Sequence, residues 1–83
     1  MDKVLVEVFL PAAGASYDIY IPLNSRMSEV LRLVAKVIED LSKGKYKCTE
    51  ETTLCERNSG IIFNINLSVA ELGIKNGSKL MLI

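Results

Sequence analysis

Between Ser25 and Lys43 the apolar residues recur at a spacing near 3.6, with Met27, Val30, Leu31, Val34, Val37, Ile38 and Leu41 on one stripe. This is the single long helix of the chain. With no second long helix to receive the stripe, it must be buried against a sheet. Ser25 is the expected cap and Gly44 the expected stop. On the outer face Lys36 with Asp40 and Glu39 with Lys43 stand four apart and are expected to remain solvated, each pair worth about 0.2 to 0.5 kcal/mol. Leu33, at the margin of the stripe, is expected in the periphery of the core.

Strand periodicity flanks the helix on both sides. From Lys3 to Leu10 the residues alternate, with Val4, Val6, Val8 and Leu10 on one face and Lys3, Leu5, Glu7 and Phe9 on the other. Pro11-Ala-Ala-Gly14 breaks the run, and Tyr17, Ile19 and Ile21 resume it against Asp18 and Tyr20 until Pro22, so an N-terminal hairpin is expected. After the helix, Lys45, Lys47, Glu50 and Glu51 mark a polar connection. Lys43, Lys45 and Lys47 cluster there, but the glutamates that follow favour a solvated loop over a site for an acidic partner. Thr52 to Glu56 reads as a third strand and Ile61 to Phe63, after the Asn58-Ser-Gly60 turn, as a short fourth. Ser68 and Glu71 have capping-box spacing, which places a helical turn at Val69 to Leu72. Gly73, the Asn76-Gly77 turn and the alternating Leu80 and Leu82 complete a final strand. The order is ββαββ, a helical turn, then β. A right-handed crossover through the helix is expected to set the third strand parallel to its neighbours.

Residues 1–83 form one domain, and a chain this short buries only about 60 to 65% of the surface its unfolded form exposes. Ten basic and ten acidic residues cancel, so no net field draws nucleic acid or an anionic membrane. A hydrophobic content of 49% exceeds what disorder allows. No apolar run reaches the roughly 18 residues of a membrane span, so direct membrane insertion is not expected. The N-terminus has no leader pattern, and a cytoplasmic location is expected. Cys48 and Cys55 are the only cysteines and histidine is absent, so free thiols are expected, with no metal, no cofactor and no activated nucleophile. Without a histidine to serve as general base, a Gly-rich phosphate loop or an activating partner for either cysteine, the chain is not expected to be an enzyme.

The stretch from Ser68 to Ile83 resembles the ubiquitin-like, or β-grasp, family, and the resemblance spans nearly the whole chain. It implies an α+β fold: a mixed four- to five-stranded sheet packed on one long helix, with a short helical turn. Gly73, Ile74, Asn76, Gly77 and Leu80 match the Gly-Ile-x-Asn-Gly-x-x-Leu ending of a bacterial branch. In this the chain looks like the YukD or EsaB ubiquitin-like accessory proteins of the WXG100 (type VII) secretion systems of Gram-positive bacteria. The resemblance implies an accessory or regulatory interaction module, with a secretion-system component as protein partner. The same domain type also occurs as the cytoplasmic N-terminal part of an integral membrane subunit of such a machine. The sequence ends at Ile83 with no Gly-Gly tail, so conjugation and sulfur carriage are not expected; a modifier or sulfur carrier whose tail lies beyond this sequence is the alternative.

If Val4, Val6 and Val8 meet the helix, Leu5 and Phe9 point away from it, near Tyr20 on the next strand. Met81 and Ile83 point the same way, opposite Leu80 and Leu82. With the first and last strands adjacent at the centre of the sheet, Leu5, Phe9, Tyr20, Met81 and Ile83 are expected to form one apolar patch that contacts a protein. By the resemblance, Met81 and Ile83 fall at positions of ubiquitin's own recognition patch. Two readings compete with it: isolated surface apolar residues without a role, and a homodimer that buries the patch.

Overall fold

The computed structural model describes residues 2–44 and 46–83. Its elements are β1 (Lys3–Leu10), β2 (Ala15–Pro22), α1 (Met27–Leu41), β3 (Leu54–Glu56) and β4 (Lys79–Leu82). The strands form a four-stranded sheet in the order β2-β1-β4-β3, the β-grasp arrangement. β1 and β2 pair antiparallel in unbroken register from Lys3 opposite Pro22 to Leu10 opposite Ala15. β1 and β4 pair parallel at the centre, through Glu7 to Phe9 against Lys79 to Met81. β3 runs antiparallel to β4, which corrects the expected parallel third strand. The crossover through α1 carries the chain past the central position to the far edge of the sheet. β4 fills that position later and takes the parallel pairing with β1.

The side of the sheet facing α1 holds the core. Val4, Val6, Val8 and Leu10 of β1, Ile19 and Ile21 of β2, Leu54 of β3, and Leu80 and Leu82 of β4 are buried against Met27, Val30, Val34, Ala35 and Ile38 of the helix. Val69 and Ile74 close one end. Leu31 and Val37 are only partly buried. Leu33 and Leu41 are 41% and 53% exposed, so neither belongs to the core as expected. At about 100° per residue, Leu33 lies well outside the arc centred on Val34 and Ile38. Leu41 falls within the arc but in the last turn, where the chain leaves the helix. Ala35, omitted by a reading based on large side chains, fills the flank instead.

Ser25 does not cap the helix. The cap position is Arg26, extended and without a side-chain hydrogen bond. The first-turn N–H groups find main-chain acceptors elsewhere in the chain: Met27 donates to the Leu67 carbonyl at 2.8 Å and Ser28 to the Ile65 carbonyl at 3.0 Å. At the other end Gly44 N–H donates to the Glu39 carbonyl at 3.2 Å and Lys43 N–H to that of Asp40 at 3.3 Å, a Schellman closure. Its left-handed C′ residue is Lys43, at φ 56°, with Gly44 following at φ 80°. Glu39 does not pair with Lys43; its carboxylate accepts the Cys48 N–H at 2.8 Å. Lys45, of the expected lysine cluster, lies outside the described residues.

The strand expected over Ile61 to Phe63 is reduced to one bridge, Cys55 to Ile62, alongside β3. The capping box forms as read: Ser68 N–H donates to the Glu71 carboxylate at 3.0 Å and Glu71 N–H to the Ser68 hydroxyl at 3.1 Å. The turn it starts is a single one, with Leu72 N–H donating to the Ser68 carbonyl at 3.1 Å. The Ser68 N–H, and secondarily its hydroxyl, hold the Glu71 carboxyl below its usual pKa. A carboxyl depressed in the folded state stabilises the fold at neutral pH, and that contribution is lost as pH falls through the folded value. Ser68→Ala is expected to raise the Glu71 pKa, read by a carboxyl NMR titration, and to lower the Tm by roughly 5 °C.

Candidate functional site

Alternation on β1 and β4 sends Leu5, Glu7, Phe9 and Met81 to the side of the sheet away from the helix, where all four are half-buried. The register then orders them into rows. Phe9 lies opposite Met81, Met81 opposite Cys55, and Cys55 bridges Ile62, so one row crosses from β1 to the margin of β3. Leu5 lies opposite Tyr20, four residues from Phe9 along β1, in a second row. Between them runs a charged row in which Glu7 pairs with Asp18 on one side and Lys79 on the other. Ile83 exchanges both main-chain hydrogen bonds with Thr53, at 2.7 and 2.9 Å, and is 51% exposed at the end of β4. The five residues expected as one patch are therefore distributed: Phe9 with Met81 at the centre, Leu5 with Tyr20 beyond the charged row, and Ile83 at the margin.

Arg57, in the turn after β3, organises the centre of this face. Its N–H donates to the Lys79 carbonyl at 3.1 Å. From there its guanidinium reaches Glu7, Nη1 to Oε2 at 3.0 Å, with its carbon 4.4 Å from the centroid of the Phe9 ring. Both partners of the ion pair are 35% exposed, so its direct stabilisation is at most about 1 kcal/mol. Its larger effect is to hold a cation beside the Phe9 and Met81 row. Ile62, 57% exposed, extends that row outward. Cys55, in the same row, is fully buried, its thiol donating to the Met81 carbonyl at 3.5 Å. Burial, and then the nearby Glu56 charge, push that thiol pKa up and keep it protonated.

Sequence reasoning omitted Arg57 and Ile62. Arg57 carries no local signal, because its partner Glu7 is 50 positions away. Ile62 was readable in part: in the run from Ile61 to Phe63 the middle residue must face away from its neighbours. Among the described residues, no group of three or more His, Cys, Asp or Glu could hold a metal ion. Among the same described residues, no helix is long and apolar enough to cross a membrane.

Solved structures share this architecture. The EccD5 ubiquitin-like domain from Mycobacterium xenopi superposes with a TM-score of 0.83 at 18% identity, over 100% of this chain and 94% of that one. A chain of the toluene 4-monooxygenase HD complex with the inhibitor 4-bromobenzoate gives 0.77 at 16% identity, over 98% and 96%. The ubiquitin-like domain of the Mycobacterium tuberculosis type VII secretion system protein ECCD1 gives 0.68 at 16% identity, over 100% and 99%. The fold is ubiquitin-like, and similarity at this level of identity concerns the fold. No protein-family model and no curated protein matches the sequence.

Proposed function

We propose that this ubiquitin-like domain is a non-catalytic docking module of a bacterial type VII (WXG100) secretion apparatus, an accessory component of the YukD or EsaB kind acting in the cytoplasm. It holds a protein of that apparatus through the outer face of its sheet. The observation that carries this reading is the row Phe9, Met81 and Ile62, aligned by strand pairing and bordered by the Arg57–Glu7 pair. An apolar centre with a charged rim is the anatomy of a protein contact, and an arginine stacked on an aromatic ring is the kind of group that dominates binding energy. Leu5, Tyr20 and Ile83 lie at its margins. The likeness to the EccD5 and ECCD1 domains supports the secretion setting. The fold is shared with a chain of an enzyme complex, so it is the outer face, and not the fold alone, that points to docking.

The test is co-purification of the tagged domain with components of the type VII apparatus from its own host. The wild-type domain is expected to retain a secretion component, and a variant carrying Ile62→Glu with Met81→Glu to lose it, with an unchanged circular dichroism spectrum. Undiminished retention by the variant discards this surface. Failure of the wild-type domain to retain any secretion component discards the secretion role.

A further inference from the structure

The sheet has one long open edge. The Leu23 N–H donates to the Asp2 carbonyl at 2.9 Å, and the unbroken β1–β2 register continues from that pair. Main-chain bonding alternates along an antiparallel pair, so Ile21, Ile19, Tyr17 and Ala15 turn their N–H and C=O groups toward β1. Ser16, Asp18 and Tyr20 must then turn theirs away from the sheet. The same parity holds on β1, where Leu5 N–H donates across to the Asn76 side chain at 2.8 Å and Glu7 N–H to the Ser78 carbonyl at 3.0 Å, both toward β4. Among the described residues, no hydrogen bond engages the main chain of Ser16, Asp18 or Tyr20. β2 is eight residues long, with no bulge in its pairing and no lysine, and its one proline stands at its last position. An edge of that length normally carries stronger protection against pairing.

We propose that the β2 edge pairs antiparallel with β2 of a second copy of this chain, joining two sheets into one. This surface is distinct from the outer face and stands independently of the secretion role. A second copy fits for three reasons. The edge is self-complementary when Ile19 lies on the two-fold axis: Asp18 and Tyr20 of each copy then exchange hydrogen bonds with Tyr20 and Asp18 of the other. In that register the Ser16 N–H meets the Pro22 carbonyl, so the missing N–H of Pro22 removes only the return bond. It also sets each Asp18 carboxylate opposite a tyrosine, whereas centring the axis on Asp18 would oppose two like charges. Finally, ten acidic and ten basic residues leave no net charge to keep copies apart. Leu33, 41% exposed beside Pro22 and Val30 in the groove between α1 and β2, adds apolar contact next to the joined edge.

Amide hydrogen exchange and sedimentation equilibrium over a micromolar to millimolar range test this together. The amides of Tyr17, Ile19 and Ile21 are expected to be protected at every concentration. Those of Ser16, Asp18 and Tyr20 should exchange quickly in dilute protein and become protected as a dimer forms. Asp18→Pro deletes an N–H that the monomer does not use, and is expected to weaken the dimer roughly tenfold or more. Met81→Glu is expected to leave it unchanged. Any of four results overturns the proposal: a monomer throughout the range, edge amides whose exchange ignores concentration, a dimer that survives Asp18→Pro, or one lost in Met81→Glu.

Discussion

Replacing Val34 with aspartate is expected to leave the chain without a cooperative unfolding transition at 25 °C. Val34 has no exposed surface and sits at the middle of the helix stripe, facing the sheet. Removing its side chain from the core forfeits about 1.5 to 3 kcal/mol. The carboxylate must then be desolvated without a partner or protonated against its ordinary pKa, which adds several kcal/mol more. A domain of this length has about 4 to 12 kcal/mol in total, at about 0.05 to 0.15 kcal/mol per residue. The penalty is therefore comparable with the whole stability of the fold. Leu33→Asp, outside the buried arc on the same helix, is the control and should retain a sigmoidal thermal melt. A melt for Val34→Asp with a midpoint near that of the wild type would refute the assignment of this stripe as the core.

The second large effect separates the two cysteines. Cys48 is exposed on the connection after α1, whereas Cys55 is fully buried within β3, with its pKa raised by burial. Only the thiolate reacts with an alkylating reagent, and Cys55 reaches the reagent only when the β3 margin opens. Under native conditions Cys48 is expected to be labelled roughly a hundredfold or more faster than Cys55, with the two rates converging in denaturant. Mass spectrometry of peptides after timed labelling gives both rates. Equal native rates would mean that the bridge from Cys55 to Ile62 and the pairing of β3 with β4 do not persist in solution.

The buried positions of β1 and the inward residues of β2 and β4 were legible because alternation has a period of two and only one phase buries Val6, Val8, Ile19, Ile21, Leu80 and Leu82 together. The capping box and the Asn76-Gly77 turn were legible because they are settled within a few bonds, and Gly73 and Gly77 take the positive φ that glycine allows. Ser25 misled because the acceptors at the start of α1 are carbonyls of residues 65 and 67, about forty positions along the chain. The Ile61 to Phe63 run misled because composition reports apolarity and not how many neighbours a strand edge will find. It found one bridge. The candidate face was half legible: the outward phase of Leu5, Phe9 and Met81 follows from their neighbours in sequence, but its division into rows does not.

What the sequence determined by itself is the list of elements, the side of each strand that turns to the helix, and the turns that separate them. These depend on backbone sterics and on side chains close together along the chain. Only the tertiary structure decided that β3 runs against β4, that Arg57 stands over Phe9 and holds Glu7, that Ile62 extends the Met81 row, and that β2 is left with an unpaired edge. Each of these joins residues far apart in sequence. Such pairings are set by how the whole chain closes on its core, and no local preference encodes them.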